Sequence, residues 1–394
     1  MNNKKFSLIF FLIFASFFSR AIVVYFFGDT NLDYEWGVII SNMEKSHIFG
    51  YRIVDGVVVP NIFMPPLYPF FLYFIKILTN NSNYLVQIVL YLQILFSLYY
   101  ILIFFKLSLK FFPSKLSYIS SLVFSLIPIH VYAASQISSA SFHLGFLVIY
   151  FYYFVNFVES RTKIDLFLFS LFAAVLILLR GEFVAFYILT LSYYYVVKKK
   201  IKPIFLSFCI TLIIVSPYLV RNYTTFGVIT IAKAEGYDLW KGNNPSSTVE
   251  GYEIIQSKKL EMKIKQLKPT KDYDLKIDKL YKKQAIEYII ENPFRYIKLY
   301  FKKVATFLFV NINSTYPDYY NPFHIVPKFI LAITTLIGAF LVGRKESFLS
   351  YLSLYYFFSI ALFSVFFILP RYSLSLLPIQ FLLSTYMFKK NHNL

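Results

Sequence analysis

Long apolar runs separated by short basic loops recur along this chain from residue 6 to residue 388, and that recurrence limits the folds open to it. A helix needs about 20 mostly apolar residues to cross a hydrocarbon layer of roughly 30 Å. Runs of this kind cover 6–27, 84–105, 116–135, 140–158, 164–180, 183–197, 203–220, 325–343, 347–369 and 373–388. Two further stretches, 64–79 and 294–312, contain Pro or Lys and sit beside polar loops. They read either as short spans or as helices lying in the membrane interface.

Composition agrees. Of the 394 residues, 58% are hydrophobic, 21% aromatic and 15% charged, against roughly 25% charged in an ordinary soluble domain. Disorder, a fibrous protein and a compact water-soluble enzyme are excluded, because so much Phe, Tyr, Leu and Ile could not be hidden behind so little polar surface. The net charge of +19 fits basic loops held on the cytoplasmic side better than nucleic-acid binding. Cys209 is the single cysteine, so there is no intrachain disulfide and no cysteine metal cluster. The five histidines form no HxxxH or HxH pair, and a zinc site has no support.

Lys4 and Lys5 precede the first run as a signal peptide's n-region would, but the run continues past Arg20 to Phe27 with no small-x-small cleavage site. A retained anchor is expected. With the N-terminus cytoplasmic and the two doubtful stretches not crossing, one side collects Lys4, Lys5, Lys106, Lys110, Lys115, Lys163, Lys198, Lys199, Lys200, Lys389 and others. The short segments of the other side carry little beyond Arg52, Lys76, Arg180 and Arg371. The fold expected is therefore all-α: a single polytopic domain over 1–394 with about ten transmembrane helices (range nine to twelve), interfacial helices and both termini inside. Two hydrophilic segments face outward, 28–63 and 221–312. The second is rich in lysine, but long loops translocate largely regardless of charge. Within it, 253–292 alternates Lys with Leu, Ile and Tyr at helical spacing, broken at Pro269, which predicts two amphipathic helices on the membrane surface.

Chemistry-bearing residues gather at the outer ends of the runs. Directly after the first span come Asp29, Asp33 and Glu35, three carboxylates within seven residues of a chain poor in acids. A carboxylate at an apolar boundary can have its pKa raised towards that of a useful base; equally, Asp33 can simply cap a helix running through Ile39, Ile40 and Met43. Phe63-Met64-Pro65-Pro66-Leu67-Tyr68-Pro69 closes the same loop. Arg180-Gly181-Glu182 follows the fifth run, where charge near hydrocarbon needs a partner: either the two pair with each other, or Arg180 reaches a lipid-borne phosphate. Arg221 and Asn222 end the seventh run, followed by Trp240-Lys241-Gly242-Asn243-Asn244-Pro245. An indole beside amides suits a sugar; the plainer reading is a turn beside an interfacial Trp. Arg371 and Tyr372 lie between the last two runs, where Arg371 either meets a phosphate or snorkels to the interface.

Taken in order and on one face, these motifs resemble those of the bacterial relatives of the dolichyl-phosphate-mannose protein mannosyltransferases and of the lipid A aminoarabinose transferases. Both are multispanning glycosyltransferases of the GT-C type. The resemblance runs through Asp33-Tyr34-Glu35-Trp36-Gly37, Met64 to Pro69, Leu179-Arg180-Gly181-Glu182, Pro217 to Asn222, Leu239 to Pro245, Ala285 to Lys303 with Asn292-Pro293, and Arg371-Tyr372. It implies a transferase that takes a sugar from a polyprenyl-phosphate donor and passes it to a cell-envelope glycan, lipid or protein at the outer face of the cytoplasmic membrane. It implies Asp33 as catalytic base, with Glu35 the nearest substitute. It makes Arg180, Arg221 and Arg371 candidates to hold the donor phosphate. Trp240, Asn243 and Asn244 become candidates to contact the sugar or to shape the loop above it, with Glu182, Asn222 and Tyr372 beside them. The chain departs from the pattern at Phe63-Met64, where the lipid A transferases have Glu-Lys, and at Gly181 in place of proline. It also has no room for the added lumenal domain of the protein mannosyltransferases. Neither named substrate is carried over.

No nucleotide-binding motif or phosphate-cradling Gly-rich loop is present, which fits a lipid-borne donor. No cofactor is required; Asp29, Asp33 and Glu35 can hold a divalent cation if water and substrate complete its shell. Two rivals remain. An O-antigen polymerase or ligase would use a diphosphate-linked glycan, and the early Asp33 motif speaks against it. A transporter should show mid-span charges and broken helices in both halves, whereas the notable charges here gather at the outer ends.

Overall fold

The computed structural model describes residues 3–32, 34–80, 84–160, 162–252, 257–311, 314–315, 321–343 and 346–389. In chain order the elements are α1 (Asn3–Phe27), α2 (Tyr34–Ser46), β1 (Arg52–Val54), β2 (Val57–Val59), α3 (Leu67–Leu78), α4 (Leu85–Ser108), α5 (Ser114–Leu126), α6 (Pro128–Ala133), α7 (Ser139–Ser160), α8 (Lys163–Leu179) and α9 (Phe183–Lys198). They continue with α10 (Ile201–Phe226), α11 (Glu235–Asn243), α12 (Lys258–Lys265), α13 (Tyr273–Glu291), α14 (Pro293–Leu308), α15 (Pro322–Val342), α16 (Ser347–Ser364), α17 (Pro370–Leu374) and α18 (Leu377–Lys389). β1 and β2 pair antiparallel, Arg52 opposite Val59, and are the only named strands among the described residues. Asp55 and Gly56 turn the hairpin with φ of 50° and 77°, the left-handed pair that such a two-residue turn requires.

Six of the described helices are long and apolar enough to cross a membrane: α1 from Ser7, α4, α7, α10, α15 and α16. The chain is an all-α protein of the multi-pass membrane kind. In lipid every backbone N–H must be satisfied within its own segment, which these runs achieve as helices. α3 and α9 are shorter apolar helices. The run 116–135 is not one helix. Ile127 takes φ −59° and ψ 128°, the extended form favoured before a proline, so α5 ends and α6 starts at Pro128. The last run is likewise preceded by the short α17, and α18 opens with Pro378 in its first turn, where a missing N–H costs nothing.

Hydrogen bonds tie the bundle at both ends. At one end Lys110 meets Glu159 at 2.6 Å, Tyr193 meets Ser347 at 2.6 Å and Lys389 meets Glu346 at 2.7 Å. At the other, Asp29 N–H donates to the Ser135 carbonyl at 2.9 Å, Arg221 to the Asn61 carbonyl at 2.7 Å and Ile368 N–H to the Val249 carbonyl at 2.8 Å. The motif-bearing loops therefore share one end. Between the ends, small polar residues join the helices: the Ser207 hydroxyl bonds both Ser170 at 2.7 Å and Tyr187 at 2.6 Å, the close-packed polar contact usual between helices in lipid.

Candidate functional site

The first loop is built on α1. Asp29 follows two residues after its end and is bonded into the bundle, its carboxylate accepting from Ile137 N–H at 2.5 Å. Asp33 lies outside the described residues. α2 begins directly after it, with Glu35 in its first turn. Trp36, on the same turn, meets Tyr68 edge-on with ring centroids 5.0 Å apart, which joins the acidic motif to the double-proline motif. Leu32 and Trp36 pack on the same apolar cluster as Leu179, the residue before Arg180.

Asn61 fixes the double-proline loop. It is fully buried; its side-chain oxygen accepts from Phe63 and Met64 N–H at 3.0 and 2.9 Å, and its amide donates to the Met64 carbonyl. Arg221 donates to the Asn61 carbonyl and to the Asn222 oxygen, both at 2.7 Å, and lies 4.9 Å from the Phe226 ring centroid. Asn222, fully buried, donates to the Thr230 carbonyl at 2.6 Å. Arg221 and Asn222 therefore bind the first loop and the chain after α10 to the end of that helix. A second tie joins the loops: Arg52 of the hairpin pairs with Asp274 of α13 at 2.9 Å, holding the hairpin against the lysine-rich segment.

α11 carries the next motif. Its first N–H groups have no partner inside the helix; the Asp278 carboxylate of α13 accepts from Gly236 at 2.7 Å and Tyr237 at 3.2 Å. A side chain on Gly236 would strike the Asp278 carbonyl, since an added Cβ would lie 2.1 Å from it. Trp240 is 4% exposed and packs with Tyr273, Ile277 and Tyr281. The Asn243 amide donates to the Leu239 and Val365 carbonyls at 2.9 and 3.0 Å, and its oxygen accepts from Lys303 at 2.9 Å. Asn244 donates to the Tyr252 carbonyl and accepts from Ser246 N–H, both at 2.9 Å. Buried Lys303 also donates to the Gly242 and Phe366 carbonyls at 2.9 and 2.5 Å. Trp240, Asn243 and Asn244 are thus built into the loop, shaping it from within.

What this loop presents is Asp238, one turn before Gly242. It stands among charges from four parts of the chain. Arg180 and Glu182, in the α8–α9 turn, pair at 3.7 Å. The Arg180 guanidinium lies 5.8 Å from the Tyr372 ring centroid, and Tyr372 stacks on Phe363 at 5.4 Å. Lys241 sits 5.0 Å from the Phe367 ring centroid. Arg371 is exposed at the start of α17. Protein crowds the half-open Asp238 carboxyl and pushes it up to about 7; burial is the main cause, nearby Glu182 and Asp278 add to it, and Lys241 and Arg371 oppose it. A small cavity of about 10 Å³, room for about one water, adjoins Glu182 and is lined also by His143, Tyr355, Ser359, Ser375 and Phe363. Two guanidiniums and an ammonium around a carboxyl that titrates near neutrality can hold an anion such as a phosphate and exchange a proton beside it.

Asp238, Asn61 and His143 are absent from the residues that sequence alone singles out. Asp238 had a signal, an acid inside the Gly236–Pro245 stretch, but its neighbours come from residues far along the chain. Among the described residues no group of three His, Cys, Asp or Glu side chains is placed to hold a metal ion. Compared with known proteins, the chain matches no family model and no curated protein significantly.

Proposed function

We propose that this chain is a membrane glycosyltransferase that moves a sugar from a polyprenyl-phosphate donor to an acceptor hydroxyl or amine. The observation that carries the reading is the meeting of Arg180, Glu182, Asp238 and Arg371 at one end of the bundle, beside the loop that opens with the acidic motif. The prenyl chain lies in the bilayer, with its phosphate at the charged cluster. Asp33 takes the proton from the acceptor as its oxygen or nitrogen attacks the anomeric carbon. The bond from that carbon to the phosphate oxygen breaks, and Arg180 and Arg371 stabilise the charge left on the polyprenyl phosphate. A single displacement of this kind inverts the anomeric centre.

The topology proposed with it has ten crossings. Six are the long apolar helices, two are α8 and α9, and two are the broken pairs α5–α6 and α17–α18. α3 and α14 lie at the surface: α3 has 12 residues, about 18 Å of helix, and α14 carries Arg295, Lys298, Lys302 and Lys303. Both termini then fall on the basic, cytoplasmic side, and the charged cluster faces outward across the cytoplasmic membrane.

The test is a donor panel. Purified protein in nanodiscs is incubated with polyprenyl-phosphate sugars and, separately, with diphosphate-linked glycans, and lipid release is followed. Release of polyprenyl phosphate supports the proposal. Turnover of diphosphate-linked glycans alone replaces it with a polymerase or ligase.

A further inference from the structure

Helix α14 has two unlike surfaces. Its inner face lies across the end of the spanning helix α16: Phe307 meets Phe363 with centroids 6.1 Å apart, the Tyr300 hydroxyl donates to the Ala361 carbonyl at 3.3 Å, and Lys303 is buried against the Phe366 carbonyl. That contact sets α14 at the level where a span leaves the hydrocarbon. Its outer face holds Phe294, Ile297 and Phe301, exposed by 87%, 50% and 63%. These fall at i, i+3 and i+7, one stripe of a helix. Lys298 and Lys302 follow Ile297 and Phe301 by one residue each, about 100° further round. Both are exposed, and among the described residues no carboxylate pairs with either.

The stripe does not end with the helix. Phe309, just beyond α14, meets Phe329 of α15 at 5.8 Å, and on that helix Val326, Phe329 and Ile330 are themselves exposed by 55%, 46% and 57%. α15 is apolar and long enough to span, so its open apolar side faces lipid. The apolar stripe of α14 is continuous with a surface that lipid already covers, and this identifies its occupant. An apolar stripe flanked on one side by unpaired cations is the pattern of a helix that lies in the interface of a membrane carrying anionic lipid.

We propose that α14 is an interfacial helix that binds anionic phospholipid headgroups through Lys298 and Lys302, with Phe294, Ile297 and Phe301 sunk among the acyl chains. Each lysine adds about fivefold to the preference for an anionic over a zwitterionic surface. The proposal does not depend on the reaction the protein performs. It bears on it, because Lys303 of the same helix holds Gly242 and Asn243 beneath the loop that presents Asp238.

The experiment uses the whole purified protein in detergent, titrated with mixed micelles of phosphatidylglycerol or of phosphatidylcholine, with thermal stability as readout. Phosphatidylglycerol is expected to raise the transition temperature in a salt-sensitive way and phosphatidylcholine to do so much less. The pair Lys298→Ala/Lys302→Ala loses the excess, Lys298→Arg/Lys302→Arg keeps it, and Lys276→Ala/Lys279→Ala on α13 keeps it. Equal responses to the two lipids in the wild type would overturn the proposal. So would an undiminished excess in the first pair, or equal loss from the α13 pair, which would mean that only total charge counts.

Discussion

The guanidinium of Arg180, at the end of α8, lies over the ring of Tyr372, in α17, with 5.8 Å to its centroid. The contact closes one side of the charged cluster and places the preceding residue, Arg371, where its charge acts on Asp238. Tyr372 is held in turn by Phe363 and Phe367, with centroids 5.4 and 5.9 Å away, so the aromatic stack fixes where the arginine stands.

If the two arginines hold the donor phosphate, Arg371→Ala lowers kcat/KM for the lipid donor by about 10- to 100-fold. Arg371 is exposed and its loss leaves no buried group unpaired, so the transition temperature in detergent moves by no more than about 2 °C. Arg180→Lys lowers kcat/KM similarly, because an ammonium cannot reproduce the planar fork of a guanidinium. Steady-state kinetics beside a thermal melt separates these effects from misfolding.

Asp238 makes a pH-dependent contribution of known sign. Its carboxyl is raised from 3.8 to about 7 in the folded protein, so the folded state binds the extra proton between those values. Stability therefore falls as pH rises through that window, is unaffected below it, and is constant above it. Asp238→Asn removes the penalty: the variant is more stable than wild type at pH 8 and equal to it below about pH 4. Melts at a series of pH values give the difference. Over the same range the wild-type rate should change around pH 7 and that of the variant should not.

Lys303 is the pin beneath the Trp240–Asn244 loop. Lys303→Met strips three buried acceptors of their donor and costs about 2–4 kcal/mol, read as a lowered melting temperature. Lys303→Arg does not restore it, since the longer fork has no space. Gly242→Ala is expected to be as harmful. An added Cβ there would lie 1.9 Å from the Phe366 carbonyl oxygen, so the loop would have to lift off the end of α16.

The apolar runs showed in the sequence because lipid imposes one demand on every residue of a span. The breaks did not: 116–135 and 373–388 read as unbroken runs, yet the extended form that Ile127 takes before Pro128 ends α5, and residues 375–376 part α17 from α18. The hairpin turns on an Asp-Gly pair between valines, a local signal inside a segment that otherwise reads as a hydrophilic loop. The site was legible as a set of motifs and not as a geometry. Trp240, Asn243 and Asn244 have the side chains of a sugar site, and nothing in their order says whether they point out of the loop or into it. Direction depends on Lys303, some 60 residues further on. Asp238 draws its character first from burial and then from Glu182, whose nearness no local pattern contains.

The most direct measurement compares wild type with Asp33→Asn, both purified in nanodiscs and shown to melt alike, on a panel of polyprenyl-phosphate sugars. Release of free polyprenyl phosphate by the wild type, and a loss of at least about 1,000-fold in the variant, is the predicted result. Retention of most activity by Asp33→Asn, or no release by folded wild type from any donor, would contradict the account.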